Sequence, residues 1–114
     1  MKKMAKEYYE KLSTLFNDLN LEMELSSPVE IKHFFSGAAL YVGGSICVSW
    51  SPVGLAFKLP EKEVNILIKE GKAKPLKYFP KGHIKKGYAV FEHPDNKSSK
   101  QLKALFVKAA RSVS

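Results

Sequence analysis

The sequence predicts an α+β fold: an antiparallel sheet of five to six strands, with N-terminal, middle and C-terminal helices packed on one face. Three observations predict it. Two short apolar runs, 38–42 and 45–50, are joined by Gly43-Gly44, and glycine at both central positions takes the positive φ angles a tight hairpin turn needs. A third run, Leu55-Ala56-Phe57-Lys58-Leu59, follows through Ser51-Pro52-Val53-Gly54, where proline and glycine sit at positions a four-residue turn tolerates. Apolar residues before and after this meander recur at three-and-four spacing, so helices flank strands that succeed one another by hairpins.

Each element has a local reason. Ala5, Tyr8, Tyr9, Leu12, Leu15, Phe16 and Leu19 form the stripe of an amphipathic helix over about residues 4–19, which Asn20 ends. Val29-Glu30-Ile31-Lys32-His33-Phe34-Phe35 alternates as a strand and enters the hairpin through Ser36-Gly37. Pro60-Glu61-Lys62-Glu63 opens a short helix with acidic residues at the positive end of its dipole, Val64, Leu67 and Ile68 give its stripe, and Gly71 stops it. Residues 72–87 read as loops around a brief strand at Lys77-Tyr78-Phe79, followed by a strand at Tyr88-Ala89-Val90-Phe91-Glu92. After the break at His93-Pro94, Ser98 or Ser99 caps a last helix bearing Leu102, Leu105, Phe106, Ala109 and Val113 on one side.

The turns also set a register. Val42 is expected opposite Ser45, Leu40 opposite Cys47, Trp50 opposite Leu55 and Val48 opposite Phe57. With alternation along each strand, Tyr41, Ala39, Ile46, Val48, Trp50, Leu55, Phe57 and Leu59 fall on the core face. Ala38, Leu40, Val42, Ser45, Cys47, Ser49, Ala56 and Lys58 fall on the other. If all three helices cover the first face, the second is an open patch poor in charge, and Ala38, Leu40, Val42, Cys47 and Lys58 are the candidate interface for a homodimer or a protein partner.

The 114 residues suit one domain, 1–114, and 45% hydrophobic content is enough for a single core without metal or disulfides. One cysteine excludes an internal disulfide and a multi-cysteine zinc site, which favours a reducing, cytoplasmic location. The basic start, Met1-Lys2-Lys3-Met4, leads into interleaved charges and not into an apolar signal region, and no run reaches the ~18 residues of a spanning helix, so no membrane role is expected.

Phe35-Ser36-Gly37-Ala38-Ala39-Leu40-Tyr41, Gly44, Leu55-Ala56-Phe57-Lys58-Leu59, Gly71, Pro75, Tyr78 and Gly87-Tyr88-Ala89-Val90 together resemble the TfoX N-terminal domain family, along nearly the whole chain. That family enters its first hairpin through Phe-Gly-Gly; here Ser36 stands at the first of those glycines, and Phe34 where methionine is common. The resemblance carries no catalytic motif. It implies a non-enzymatic, bacterial-type regulatory or binding module, here as a stand-alone domain without the further C-terminal domain of the competence regulator that gives the family its name, and the open sheet face is where protein contact or self-association is expected.

Charge points to an alternative. Residues 1–57 carry five basic and six acidic side chains, net −1, whereas residues 58–114 carry fourteen and five, net +9. Lys77, Lys81, Lys85 and Lys86, among late aromatics, are the candidate contacts of a nucleic-acid-associated accessory protein. Only one of the 19 basic residues is arginine, whose planar fork reads guanine and phosphate bidentately, so the binding expected is non-specific and salt-dependent. His33, His83 and His93 lack metal-pair spacing, and no nucleophile elbow, phosphate loop or dinucleotide fingerprint occurs, so neither enzyme activity nor cofactor or metal is expected. A third reading is a thiol sensor, with Lys58 opposite Cys47 lowering its pKa.

Overall fold

The N-terminal stripe winds residues Lys2–Asp18 into α1, burying Leu12 and Phe16, with Tyr9 and Leu15 half-buried beside them. Asn20 takes a left-handed conformation, φ 52° and ψ 38°, which ends the helix and turns the chain into a single 3-10 turn at Leu21–Met23. Strands β1 (Val29–Phe34), β2 (Gly37–Val42), β3 (Ser45–Ser51) and β4 (Gly54–Lys58) follow as a meander, then α2 (Glu61–Lys69), β5 (Lys74–Leu76), β6 (Lys85–Phe91), a 3-10 turn at Pro94–Asn96 and α3 (Ser99–Val113). The computed structural model describes residues 2–34, 36–77 and 84–113. The six strands form one antiparallel sheet in the order β1-β2-β3-β4-β6-β5, and α1, α2 and α3 supply side chains to one core on the same face.

Local signals explain the boundaries. Gly43 and Gly44, at φ 57° and 86°, make the β2–β3 turn, so Val42 pairs with Ser45. Lys72 donates its N–H to the Leu67 carbonyl and Gly71 to that of Ile68, the paired bonds of a Schellman stop for α2. Ser98 is the cap of α3: its N–H donates to Gln101 Oε1 at 2.9 Å and Gln101 N–H returns to Ser98 Oγ at 3.1 Å, a reciprocal capping box. Phe57 lies at the centre, with Phe106 edge-on at 5.1 Å and Phe91 at 5.9 Å; such pairs add about 0.5–1.5 kcal/mol each beyond the area they bury.

Two sequence expectations are corrected. Of the expected strand Lys77-Tyr78-Phe79, Lys77 is in no strand and Tyr78 and Phe79 lie outside the described residues, whereas a short strand forms at Lys74–Leu76, read from the sequence as loop. It pairs only with β6, and at a sheet edge the missing N–H of Pro75 costs no ladder bond. Its partner β6 begins at Lys85, three residues before Tyr88.

The second correction concerns the faces. Trp50 opposes Leu55 and Val48 opposes Phe57, as the turn predicts. Between β2 and β3, however, Leu40 pairs with Val48 and Tyr41 with Ile46, so Cys47 is an extra residue, a β-bulge. One inserted residue reverses the pairing parity beyond it. Leu40 therefore joins Val48, Phe57 and Ala89 beneath the helices, and Ala38 joins Trp50, Leu55 and Phe91. Tyr41 and Ile46 move to the opposite face with Ala39, Ser49, Ala56 and Val90, where Leu76 and Tyr88 complete a second, smaller apolar cluster. Among the described residues no helix is long and apolar enough to cross a membrane.

Candidate polyanion-binding surface

The bulge removes the expected interface. Ala38, Leu40, Val42 and Cys47 are at most 2% exposed, packed against the helices and not presented on an open face. Ala56, on the opposite face, is buried as well. Lys58 alone of the candidate interface residues reaches the surface, half-buried at the end of β4.

Cys47 and Lys58 also belong to different faces, Cys47 to the helix-side core and Lys58 to the side of Tyr88. The paired register of β3 with β4 runs only as far as Val48–Phe57, and Lys58 pairs with Tyr88 across the other side of its strand. Its ammonium lies 5.4 Å from the centre of the Tyr88 ring. Burial pushes the Cys47 thiol up to about 12 from an ordinary 9.0, the reverse of what thiolate chemistry needs.

What the fold does assemble is a group of lysines around the start of β6. Lys58 from β4 and Lys85 from β6 approach the same Tyr88 ring, at 5.4 and 5.9 Å. Tyr88 is only 6% exposed, so it serves as a platform for the two ammonium groups and not as a stacking surface for a ligand. Gly87 permits the approach: its φ is 85°, and a Cβ there would stand 2.7 Å from Lys58 Nζ. Lys86 and, directly after β5, Lys77 are exposed beside them, while Lys81 lies outside the described residues. Among the described residues none of Lys58, Lys77, Lys85 and Lys86 has a carboxylate at ion-pair distance, in contrast to Lys72, Lys74, Lys103 and Lys108, which pair with Glu70, Glu92, Glu24 and Glu63.

The other end of β6 carries a feature that sequence reading did not assemble. A cleft of about 310 Å³ lies between the end of α2, the β5–β6 edge and the start of α3, lined by Lys72, Lys74, His93, Asn96, Lys97 and Gln101 among others. The Lys97 ammonium sits 4.2 Å from the centre of the Phe91 ring. The cleft lies against the Phe91 end of β6 and Lys85 begins that strand, so basic groups mark both ends of β6. The lysines are visible in the sequence, but their convergence with Asn96 and Gln101 has no sequence signal, since it depends on where α3 starts relative to β5.

At the α1 side the chemistry reverses. Glu7, Glu10, Asp18 and Asp95 surround a groove of about 510 Å³ that also exposes part of Trp50, with Lys11 lying 5.8 Å from the centre of the Trp50 ring. Tyr8 stands 6.4 Å from Trp50. His33 stacks on Tyr9 at 4.8 Å, His93 is exposed at the lysine cleft, and His83 lies outside the described residues. Among the described residues no three His, Cys, Asp or Glu side chains gather as metal ligands would. No protein-family model matches the chain, and no curated protein matches it in sequence.

Proposed function

We propose that this protein is a non-enzymatic binding module of the kind the TfoX-like resemblance implies, and that its ligand is a phosphate-rich polyanion, a nucleic-acid backbone, held along the β5–β6 edge. The observation that carries the reading is the cluster of Lys58, Lys77, Lys85 and Lys86, none of which has an acidic partner among the described residues. Ammonium groups held together without carboxylates raise the local positive potential, and a polyanion relieves that repulsion while releasing its own counterions. Lysine, as a point charge, suits contact with the backbone and not bidentate base reading, so the module binds without sequence preference. A cytoplasmic location is part of the proposal, supported by the free thiol of Cys47.

The test is a fluorescence-anisotropy titration of labelled double-stranded DNA and single-stranded RNA at several salt concentrations. Binding is expected to weaken steeply with salt, and Lys85→Gln with Lys86→Gln to flatten the log–log slope by about one per lysine that contacts a phosphate. No binding at low salt, or binding unchanged by those substitutions, removes the reading.

A further inference from the structure

The two edges of the sheet are built differently. Strand β5 is three residues long, contains Pro75 and is flanked by lysines, all features that discourage another strand from pairing there. Strand β1 has six residues, no proline and a single neighbour, β2. Its outer side therefore presents backbone N–H and C=O groups to solvent, a template for a further strand. Helix α1 packs across the sheet face, chiefly on β2 and less on β1, and among the described residues no element pairs along that outer side.

The side chains of β1 select the strand that fits. Val29 and Ile31 face the helix-side core and His33 stacks on Tyr9 of α1, which places Glu30 and Lys32 on the opposite face. There they flank Ile31 with opposite charges, 3.5 Å apart, each more than half exposed. In antiparallel pairing centred on Ile31, Ile31 meets Ile31 of a second copy, Glu30 meets Lys32, and Lys32 meets Glu30. The strand is thus charge-complementary to itself in one register, and shifting that register by one residue breaks both ionic pairs.

We infer that two copies of this chain associate by antiparallel β1–β1 pairing centred on Ile31, joining their six-stranded sheets about a two-fold axis. With α1 centred over β2 in each copy, the two helices stand three strand spacings apart, about 14 Å, beyond the 8–10 Å of packed helices, so they do not obstruct the pairing. The lysine edges lie at the far ends of the joined sheet, so the dimer neither requires nor blocks the polyanion surface. Paired strands alone make a small interface, and the association is correspondingly weak and concentration-dependent.

Sedimentation equilibrium from low micromolar to millimolar protein tests this inference. The wild type is expected to show a reversible monomer–dimer equilibrium. Lys32→Glu places glutamate opposite glutamate twice in the homodimer, and Glu30→Lys places lysine opposite lysine twice, so each is expected to weaken self-association about tenfold or more. Both sites are exposed, so circular dichroism and thermal unfolding should remain those of the wild type. Mixing the two variants re-creates opposite pairs across the axis and should restore association, as should both substitutions in one chain. A wild type that stays monomeric throughout, or dimerisation indifferent to the two reversals, overturns the inference.

Discussion

The helix-bearing face of the sheet and the face behind it are made from the same strands yet have opposite chemistry. The first buries Leu40, Val48, Leu55, Phe57 and Phe91 under three helices, and among the described residues no charged side chain is buried. The second has a narrow apolar strip, Ala56, Leu76, Tyr88 and Val90, fringed by Lys32 over Tyr41 and by Lys58 and Lys85 over Tyr88. One residue decides which side chains belong to which face, because the bulge at Cys47 places Leu40 with Val48 and leaves Tyr41 with Ile46. A sheet with one thick core can let its other face hold charge on aromatic rings, since the first supplies most of the hydrophobic stabilisation.

The largest effect should come from testing that division at Leu40. Leu40→Asp is expected to abolish folding, because it puts a carboxylate at a position with no solvent exposure, and the milder Leu40→Ala to cost about 2–5 kcal/mol in urea unfolding. Ile46→Ala, half-buried on the opposite face, should cost clearly less. A folded, stable Leu40→Asp protein would place Leu40 on the open face and remove the bulge.

Next in size is a pH effect confined to the helix-bearing side. The folded Cys47 thiol titrates near 12 and the unfolded one near 9.0, so the unfolded chain loses its proton first. The stability contributed by the neutral buried thiol is whole below pH 9 and is lost as pH rises from about 9 towards about 12, at up to about 1.4 kcal/mol per pH unit. Urea midpoints of the wild type and Cys47→Ala should therefore converge with rising pH, the wild type falling more steeply. Parallel curves would mean that the thiol is solvated in the fold.

How far the sequence discloses this division can be judged strand by strand. The pairing of Trp50 with Leu55 and of Val48 with Phe57 is legible because proline and glycine fix the turn between them. Val42 with Ser45 is legible for the same reason at Gly43-Gly44. The bulge is not, because Ile46, Cys47 and Val48 are all apolar: inserting one of them disturbs no polar–apolar alternation that a reader could follow. The open Leu40 face, built on the parity beyond it, fails with it, and the bulged Cys47 itself packs into the helix-side core, away from the Tyr88 side that Lys58 occupies. Strand β5 is hidden because Lys74-Pro75-Leu76 has no strand pattern, and its place is set by its partner β6. The lysine surface is half legible: the residues are conspicuous, but which of them lack acidic partners depends on where the first 3-10 turn, α2 and the end of β6 bring Glu24, Glu63, Glu70 and Glu92.

On the second face, Gly87→Ala separates conformational strain from ligand contact. At φ 85° an alanine costs about 1–2 kcal/mol, and its Cβ displaces the Lys58 ammonium from Tyr88. The expected result is a modest loss of stability together with weaker polyanion binding. A stability loss with binding unchanged would show that Lys58 takes no part in the surface.

The smallest effect belongs to the outer side of the helix layer, where Lys108 of α3 donates to Glu63 of α2 at 2.7 Å. The distance is short, but the lysine side chain is 54% exposed, so water screens the pair and holding two long side chains in one geometry costs entropy. A double-mutant cycle with Lys108→Ala and Glu63→Ala is expected to give a coupling of about 0.5 kcal/mol or less, fading with added salt. A coupling of several kcal/mol would mean that the helices are held by this ionic tie as much as by Phe106 and Leu102 beneath it, and that the contrast between an apolar, helix-bearing face and a charged one is weaker than the packing of Phe57 against Phe106 implies.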